Sequence, residues 1–197
     1  MKKVLTVVAT LFLLSFSSMA QSDTVAMVTR HVNHVMIGYT GILFQIGLQS
    51  EFKIAKRWTL MTQAAYEHTI FIKSMNMKGY QMMLEPRFYY NLEKRMRTGR
   101  NIGYNSGNYF SLRTEARYAQ FEFITMMKDF GLANDDHFYA ITAMPTWGMK
   151  RVYRERWGLD VSGGLGAIWL TTFEEDTVDD YSVGLWFHTT VALSYRF

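Results

Sequence analysis

From Ile42 onward the chain alternates apolar and polar residues with a period of two. Ile42, Phe44, Ile46, Leu48, Phe52 and Ile54 share one face, and Gln45, Gln49, Glu51 and Lys53 share the other. This is strand spacing, because successive side chains on a strand point to opposite sides. The rhythm returns in Tyr80, Met82, Leu84, Pro86, Phe88, Tyr90 and Leu92 against Gln81, Glu85, Arg87 and Asn91, and in Phe110, Leu112, Ala116 and Tyr118 against Ser111, Arg113, Glu115 and Arg117. It recurs through Tyr139–Met149, Trp157–Trp169 and Leu185–Phe197, and none of these apolar faces carries a charge. Seven strands are legible, at about 41–54, 57–72, 79–92, 107–119, 137–150, 156–170 and 183–197. A single-chain membrane barrel closes on an even number. An eighth strand is therefore expected through Val25–Ile37, with a turn near Gly38–Gly41. Val25, Val28, Val32 and Val35 also fit helical spacing, so an N-terminal helix or lumen plug competes for that segment.

Alternation alone does not say which face is wet, since a soluble barrel of the lipocalin kind turns its apolar residues inward. Volume decides. An eight-stranded interior is just wide enough for side chains to fill, and one packed with Trp147, Trp157, Trp169, Phe44, Phe88, Phe110, Phe187 and Phe197 would be overfull. The polar face carries the small residues Gly47, Gly148, Gly158, Ser162, Gly164, Gly166, Ala192 and Ser194, which suit a narrow lumen. Trp58, Tyr80, Tyr90, Trp157, Trp169 and Tyr195 fall near expected strand ends, as interfacial girdles do. The expected fold is all-β: a closed antiparallel transmembrane β-barrel of eight strands, apolar face toward lipid.

The N-terminus agrees with an exported protein. Lys2 and Lys3 precede an uncharged run from Val4 to Phe16, with Ser18 and Ala20 at the positions a signal peptidase inspects. A run of this length covers only about 20 Å of a roughly 30 Å hydrocarbon layer as a helix. Residues 1–20 are therefore expected to be a signal peptide and 21–197 an outer-membrane β-barrel domain. The apolar positions Val191, Leu193, Tyr195 and Phe197 run in phase to a final Phe, the pattern expected of a C-terminal insertion signal read by the barrel insertion machinery.

Composition narrows the function. There is no cysteine, and 21 basic residues face 17 acidic ones. The net charge of +4 includes Lys2 and Lys3, which leaves too little excess to argue for nucleic acid. Glu85, Arg87, Arg113, Glu115 and Arg117 are expected to meet in the lumen as a structural charge network, with Glu67 and Glu51 as further members; a proton or ion path is the functional alternative. Pro86 and Pro145 fall mid-strand, where each removes a ladder donor, so bulges are expected there.

Basic residues Lys94, Arg95, Arg97 and Arg100 gather in a long connector on the side of the chain ends. Acidic Asp135, Asp136, Glu174, Glu175, Asp176, Asp179 and Asp180 gather at the other. The run Glu174–Asp180 lacks the spacing of a calcium loop and reads as a solvated surface. The apolar stretch Phe121, Phe123, Ile124, Met126, Met127 and Phe130 reads as strand continuing above the membrane. A membrane esterase would need serine, histidine and a carboxylate together. His68 beside Glu67, or His137 near Asp135 with Ser74 or Ser182, are the available candidates. His31 and His34 could share a metal if their segment were helical, but no third ligand is evident. No catalytic residue, metal or cofactor is assigned.

The segment Leu84-Glu85-Pro86-Arg87-Phe88-Tyr89-Tyr90-Asn91-Leu92-Glu93-Lys94-Arg95 is followed, after a basic linker, by Asn105-Ser106-Gly107-Asn108-Tyr109-Phe110-Ser111-Leu112. Together with Val35–Phe52, Pro145-Thr146-Trp147-Gly148 and the terminal Tyr195-Arg196-Phe197, it resembles small outer-membrane β-barrel proteins of Bacteroidota. The resemblance implies fold and location and carries over no active-site residue. The expected role is a non-enzymatic envelope protein in contact with outer-membrane lipid and lipopolysaccharide, acting through its outer loops. A lipid-modifying hydrolase and a narrow pore are the alternatives.

Overall fold

A computed structural model describes residues 28–69, 75–123, 136–173 and 181–197. Eight strands follow one another in chain order: β1 (His31–Thr40), β2 (Leu43–Ala55), β3 (Trp58–Thr69), β4 (Met75–Tyr89), β5 (Asn108–Phe123), β6 (Asp136–Tyr153), β7 (Trp157–Phe173) and β8 (Tyr181–Arg196). Each pairs antiparallel with its neighbour, and β8 returns to pair with β1, so the sheet closes into a barrel. The eighth strand lies where the even-number rule asked for one, shifted toward the turn at Gly41–Ile42. The expected signal segment, the acidic run Glu174–Asp180 and most of the apolar run after Phe121 lie outside the described residues.

The outward face is the apolar one. Ile46, Leu84, Phe110, Leu112, Ile141, Trp147, Leu165, Phe187, Val191 and Leu193 are exposed, while Gln45, Gln49, Glu51, Gln81, Glu85, Arg87, Arg113, Glu115 and Arg117 are buried. Aromatic side chains on this face form two rows. Trp58, Phe88, Phe110 and Trp147 are register partners across β3 to β6, and Tyr66, Tyr80, Tyr118 and Tyr139 form a second row eight residues further along each strand. Eight residues on strands tilted by about 40° separate the rows by roughly 20 Å, close to the height of an outer-membrane apolar band. Between the rows lie Leu60, Met82, Leu84, Pro86, Leu112, Ala116, Ile141 and Pro145.

Small residues admit the lumen's large ones. A Cβ added at Gly148 would stand 2.2 Å from the Tyr109 ring, whereas one at Gly163, on the outward face, would meet nothing nearer than 3.6 Å. Gly148→Ala is expected to destabilise the barrel by about 1–3 kcal/mol through overpacking, and Gly163→Ala to leave the urea midpoint of unfolding nearly unchanged. Equal midpoints for the two variants would contradict this packing.

The prolines behave differently from expectation. Pairing runs from Leu84↔Thr114 to Arg87↔Ser111 and from Ala143↔Ala167 to Thr146↔Gly164 without a change of register. Each proline keeps its pairing on one side, Pro86 with Leu60 and Pro145 with Leu112. The missing N–H faces the other neighbour, and the ladder opens there locally rather than bulging. The register shift in this wall lies instead between Lys53 and Ala55, beside a tight turn.

The lower end, which carries both ends of the barrel's strand sequence, has compact connections. Three residues, 154–156, join β6 to β7; Arg154 and Glu155 both have positive φ, 50° and 62°, and the Arg156 N–H donates back to the Tyr153 carbonyl at 3.3 Å, so the reversal is tight. The connector after β4 is a folded cap. It contains helix α1 (Leu92–Arg97) and a 3-10 turn at Gly103–Asn105. Leu92, in phase with the lipid face by sequence, belongs to this cap: β4 ends at Tyr89, and Leu92 is buried with Val28, Tyr89 and Tyr109, against which Ile102 packs. The Asn105 side chain accepts from Thr29 N at 2.6 Å, and Asn101 donates to Val152 O at 2.9 Å, tying the cap to both flanks of the barrel mouth.

Candidate functional site

The inward positions of β3, β4, β5 and β7 build a ladder of alternating charge. Arg117 Nε lies 2.6 Å from Glu67, and its Nη2 lies 3.4 Å from Glu115. Glu115 meets Arg113 at 2.5 Å, and Arg113 approaches Glu85 at 3.8 Å. Arg87 then bridges Glu85 and Asp160, at 2.7 Å to each. Each arginine thus sits between two carboxylates. Strand spacing produces this order: residues two apart on β5 face the same lumen, and β4 supplies the next pair one strand over.

Neutral groups complete the ladder. Ser111 and Tyr109 donate to Glu85 and Asp160, each at 2.7 Å, and the Arg87 guanidinium lies 4.2 Å above the Tyr109 ring. Gln45 donates to Glu67, and further amide contacts link Gln45 to Gln81, Gln63 to Gln81 and Gln49 to Gln63. Closer to the cap, Lys150 pairs with Glu51 at 2.6 Å, and Glu51 also accepts from Thr59 and Tyr89 at 2.7 Å. Fully buried Arg87, Tyr89, Tyr109, Lys150, Met36, Met61, Met83 and Met144 occupy the interior. Charges this buried gain little over an apolar core, but each is costly to strand without its partner. The arrangement suits a packed interior better than a watered path.

All five expected network residues meet here; Glu67 joins them through Arg117, whereas Glu51 sits in a neighbouring cluster on Lys150. Asp160, Lys150, Tyr89 and Tyr109 were missed in the sequence. Phase could have found them, since Asp160 lies between outward Leu159 and Val161, and Lys150 follows outward Met149. Nothing in sequence order, however, says that β7 faces β4 across the lumen.

The profile of a family described as "Protein of unknown function (DUF3575)" matches residues 7–184. The chain belongs to the DUF3575 family. No curated protein matches it in sequence. Among solved structures, the DUF3575 barrel is similar to the attachment invasion locus protein Ail of Yersinia pestis, with 16% identity, 86% of this chain and 100% of that one covered, and a TM-score of 0.43. It is also similar to the outer membrane protein OprG of Pseudomonas aeruginosa, with 10% identity, coverage of 87% and 98%, and a TM-score of 0.45. The N-terminal β-barrel domain of OprF from Pseudomonas aeruginosa aligns with 9% identity, coverage of 85% and 96%, and a TM-score of 0.43.

The histidines of this DUF3575 chain do not converge on a catalytic arrangement among the described residues. Glu67 is buried in the lumen on Arg117, while His68, one residue on, lies on the outer face beside Tyr66. His137 Nδ1 is 2.8 Å from the Tyr118 hydroxyl, and its ring stacks on Tyr118. Ser182 lies on β8, two strands from His137 and on the opposite face; Ser74 and Asp135 lie outside the described residues. His31 and His34 share a strand, so their odd spacing turns them to opposite faces: His31 stacks on Phe52, and His34 is buried 3.3 Å from Lys150. No group of three metal-ligating side chains occurs among the described residues. Val191, Leu193, Tyr195 and Phe197 line the outward face of β8 and the chain's end, with Val191, Leu193 and Phe197 exposed.

Proposed function

We propose that this protein is an integral barrel of a bacterial outer membrane, exported by a cleaved signal over residues 1–20 and non-enzymatic. It supports envelope integrity or surface interaction through its outer loops. One observation carries the reading: an exposed apolar wall lies between two aromatic rows, around an interior closed by paired charges. The resemblance of the Leu84–Arg95 segment to Bacteroidota barrels supports the same location and a source in that group. Immediately above the upper aromatic row, His68, Lys78, Gln120 and His137 are register partners, with strand phase placing them outward. This polar row favours contact with lipopolysaccharide. The exposed apolar face of β8, with Val191 and Leu193, favours recognition by the insertion machinery.

Purified mature protein reconstituted in planar bilayers is expected to be electrically silent. A steady unitary conductance would replace this reading with a pore. Turnover in a lipid-deacylation assay that disappears in His68→Ala or His137→Ala would replace it with a hydrolase.

A further inference from the structure

Beside the lower aromatic row, the cap and the ends of β5 and β6 enclose a pocket of about 500 Å³. Lys94, Arg95, Arg100 and Arg151 line it, together with Tyr90 and Asn108, and no carboxylate does. Two of the guanidiniums are held in place by neutral oxygens. Arg151 donates to Asn108 Oδ1 and to the Lys150 carbonyl, both at 2.7 Å, and Arg95 donates through Nε and Nη2 to the Asn101 carbonyl at 3.2 and 2.8 Å. The nearby acid, Glu93, is committed to Arg57 at 2.8 Å and Arg97 at 3.7 Å. Four cations therefore share a concavity without an anion. Partial burial and the neighbouring Arg100 charge both push the Arg95 guanidinium below its ordinary pKa, which an anion in the pocket would reverse.

The rim sets the kind of anion. The Tyr90 hydroxyl accepts from Trp147 Nε1 at 3.0 Å and from Asn108 Nδ2 at 3.2 Å, and its ring packs 5.1 Å from Phe110. Trp147 and Phe110 belong to the lower aromatic row, so the pocket opens where the apolar wall gives way to polar surface. A ligand with acyl chains against that wall and a phosphate at its polar end matches both parts. Arginine clusters suit phosphate because the planar fork places two N–H groups on its oxygens. We propose that this pocket binds the phosphate of an anionic phospholipid in the membrane leaflet on the side where β1 begins and β8 ends, tethering the cap to that leaflet.

This assignment rests on the membrane reading above, and the two fail in different ways. If mature protein remains monomeric without detergent, the membrane reading falls. The pocket is tested with protein held in maltoside micelles and probed separately with phosphatidylglycerol, phosphatidylcholine and inorganic phosphate by native mass spectrometry.

Wild-type protein is expected to retain phosphatidylglycerol at lower concentration than phosphatidylcholine, with inorganic phosphate retained only far more weakly. Arg95→Gln combined with Arg100→Gln is expected to weaken phosphatidylglycerol retention by about tenfold or more, as loss of charge-assisted contacts implies. Lys56→Gln, a single change of charge at the β2–β3 turn that matches Arg100→Gln, is expected to leave retention unchanged. Arg100→Gln alone, at an exposed position, supplies a folded variant with a smaller loss if the double variant fails to assemble. Equal loss in Lys56→Gln, or no loss in the arginine variants, overturns the site. Inorganic phosphate bound as tightly as the lipid overturns the lipid source and leaves a site for a soluble phosphate.

Discussion

Arg87→Met is expected to cost the barrel about 3–5 kcal/mol, the usual penalty for breaking a buried ion pair from one side. Arg87 places three N–H groups on two carboxylates, with Nε and Nη2 on Glu85 and Nη1 on Asp160. Without it, Glu85 retains Ser111 and the more distant Arg113, while Asp160 retains, among the described residues, the Tyr109 hydroxyl. Asp160 is therefore the stranded charge. Adding Asp160→Asn to Arg87→Met should recover part of the loss, with a coupling of roughly 1–3 kcal/mol in a double-mutant cycle. Urea unfolding in lipid vesicles gives both numbers. If the two substitutions are additive, Arg87 and Asp160 do not act as a pair.

The second large effect concerns the wall. Leu84 is exposed between the two aromatic rows, while Ile54 is exposed level with the lower one, at the end of β2. Leu84→Arg is expected to cost about 2–4 kcal/mol in a bilayer, and Ile54→Arg about 0–1 kcal/mol, because the cost of a cation falls from the midplane to the interface. The comparison would falsify the lipid-facing orientation if Leu84→Arg proved no more costly than Ile54→Arg.

Much of this barrel was legible because the outward and inward faces impose opposite demands on alternate residues. The charges on β4 and β5 stand out against Leu84, Phe88 and Leu112 and gave the network its expected members. The signal fades where the lumen itself is apolar. Val32 and Met36 point inward on β1, so that strand shows little contrast between faces and its valines imitate a helix. The cap reads in sequence as a long basic connector, since Leu92 and Ile102 are isolated apolar residues whose burial depends on Val28, Tyr89 and Tyr109 arriving from elsewhere. The prolines misled in a different way. A missing N–H is tolerated by a local opening between strands, which composition cannot distinguish from an inserted residue. The basic pocket needed the cap's fold to bring Arg151 of β6 beside Arg95 and Arg100.

The junction of β1 with β8 has a consequence for assembly. β8 pairs with β7 from Trp157↔Tyr195 to Thr171↔Tyr181, but with β1 only from His34↔Arg196 to Thr40↔Thr190. Joining β1 and β8 closes the longest loop in the chain for the shortest ladder in the wall. Since loop closure precedes the contacts that reward it, this seam zips last and parts first. Amide protons there should exchange ahead of those between β6 and β7 when the sheet breathes.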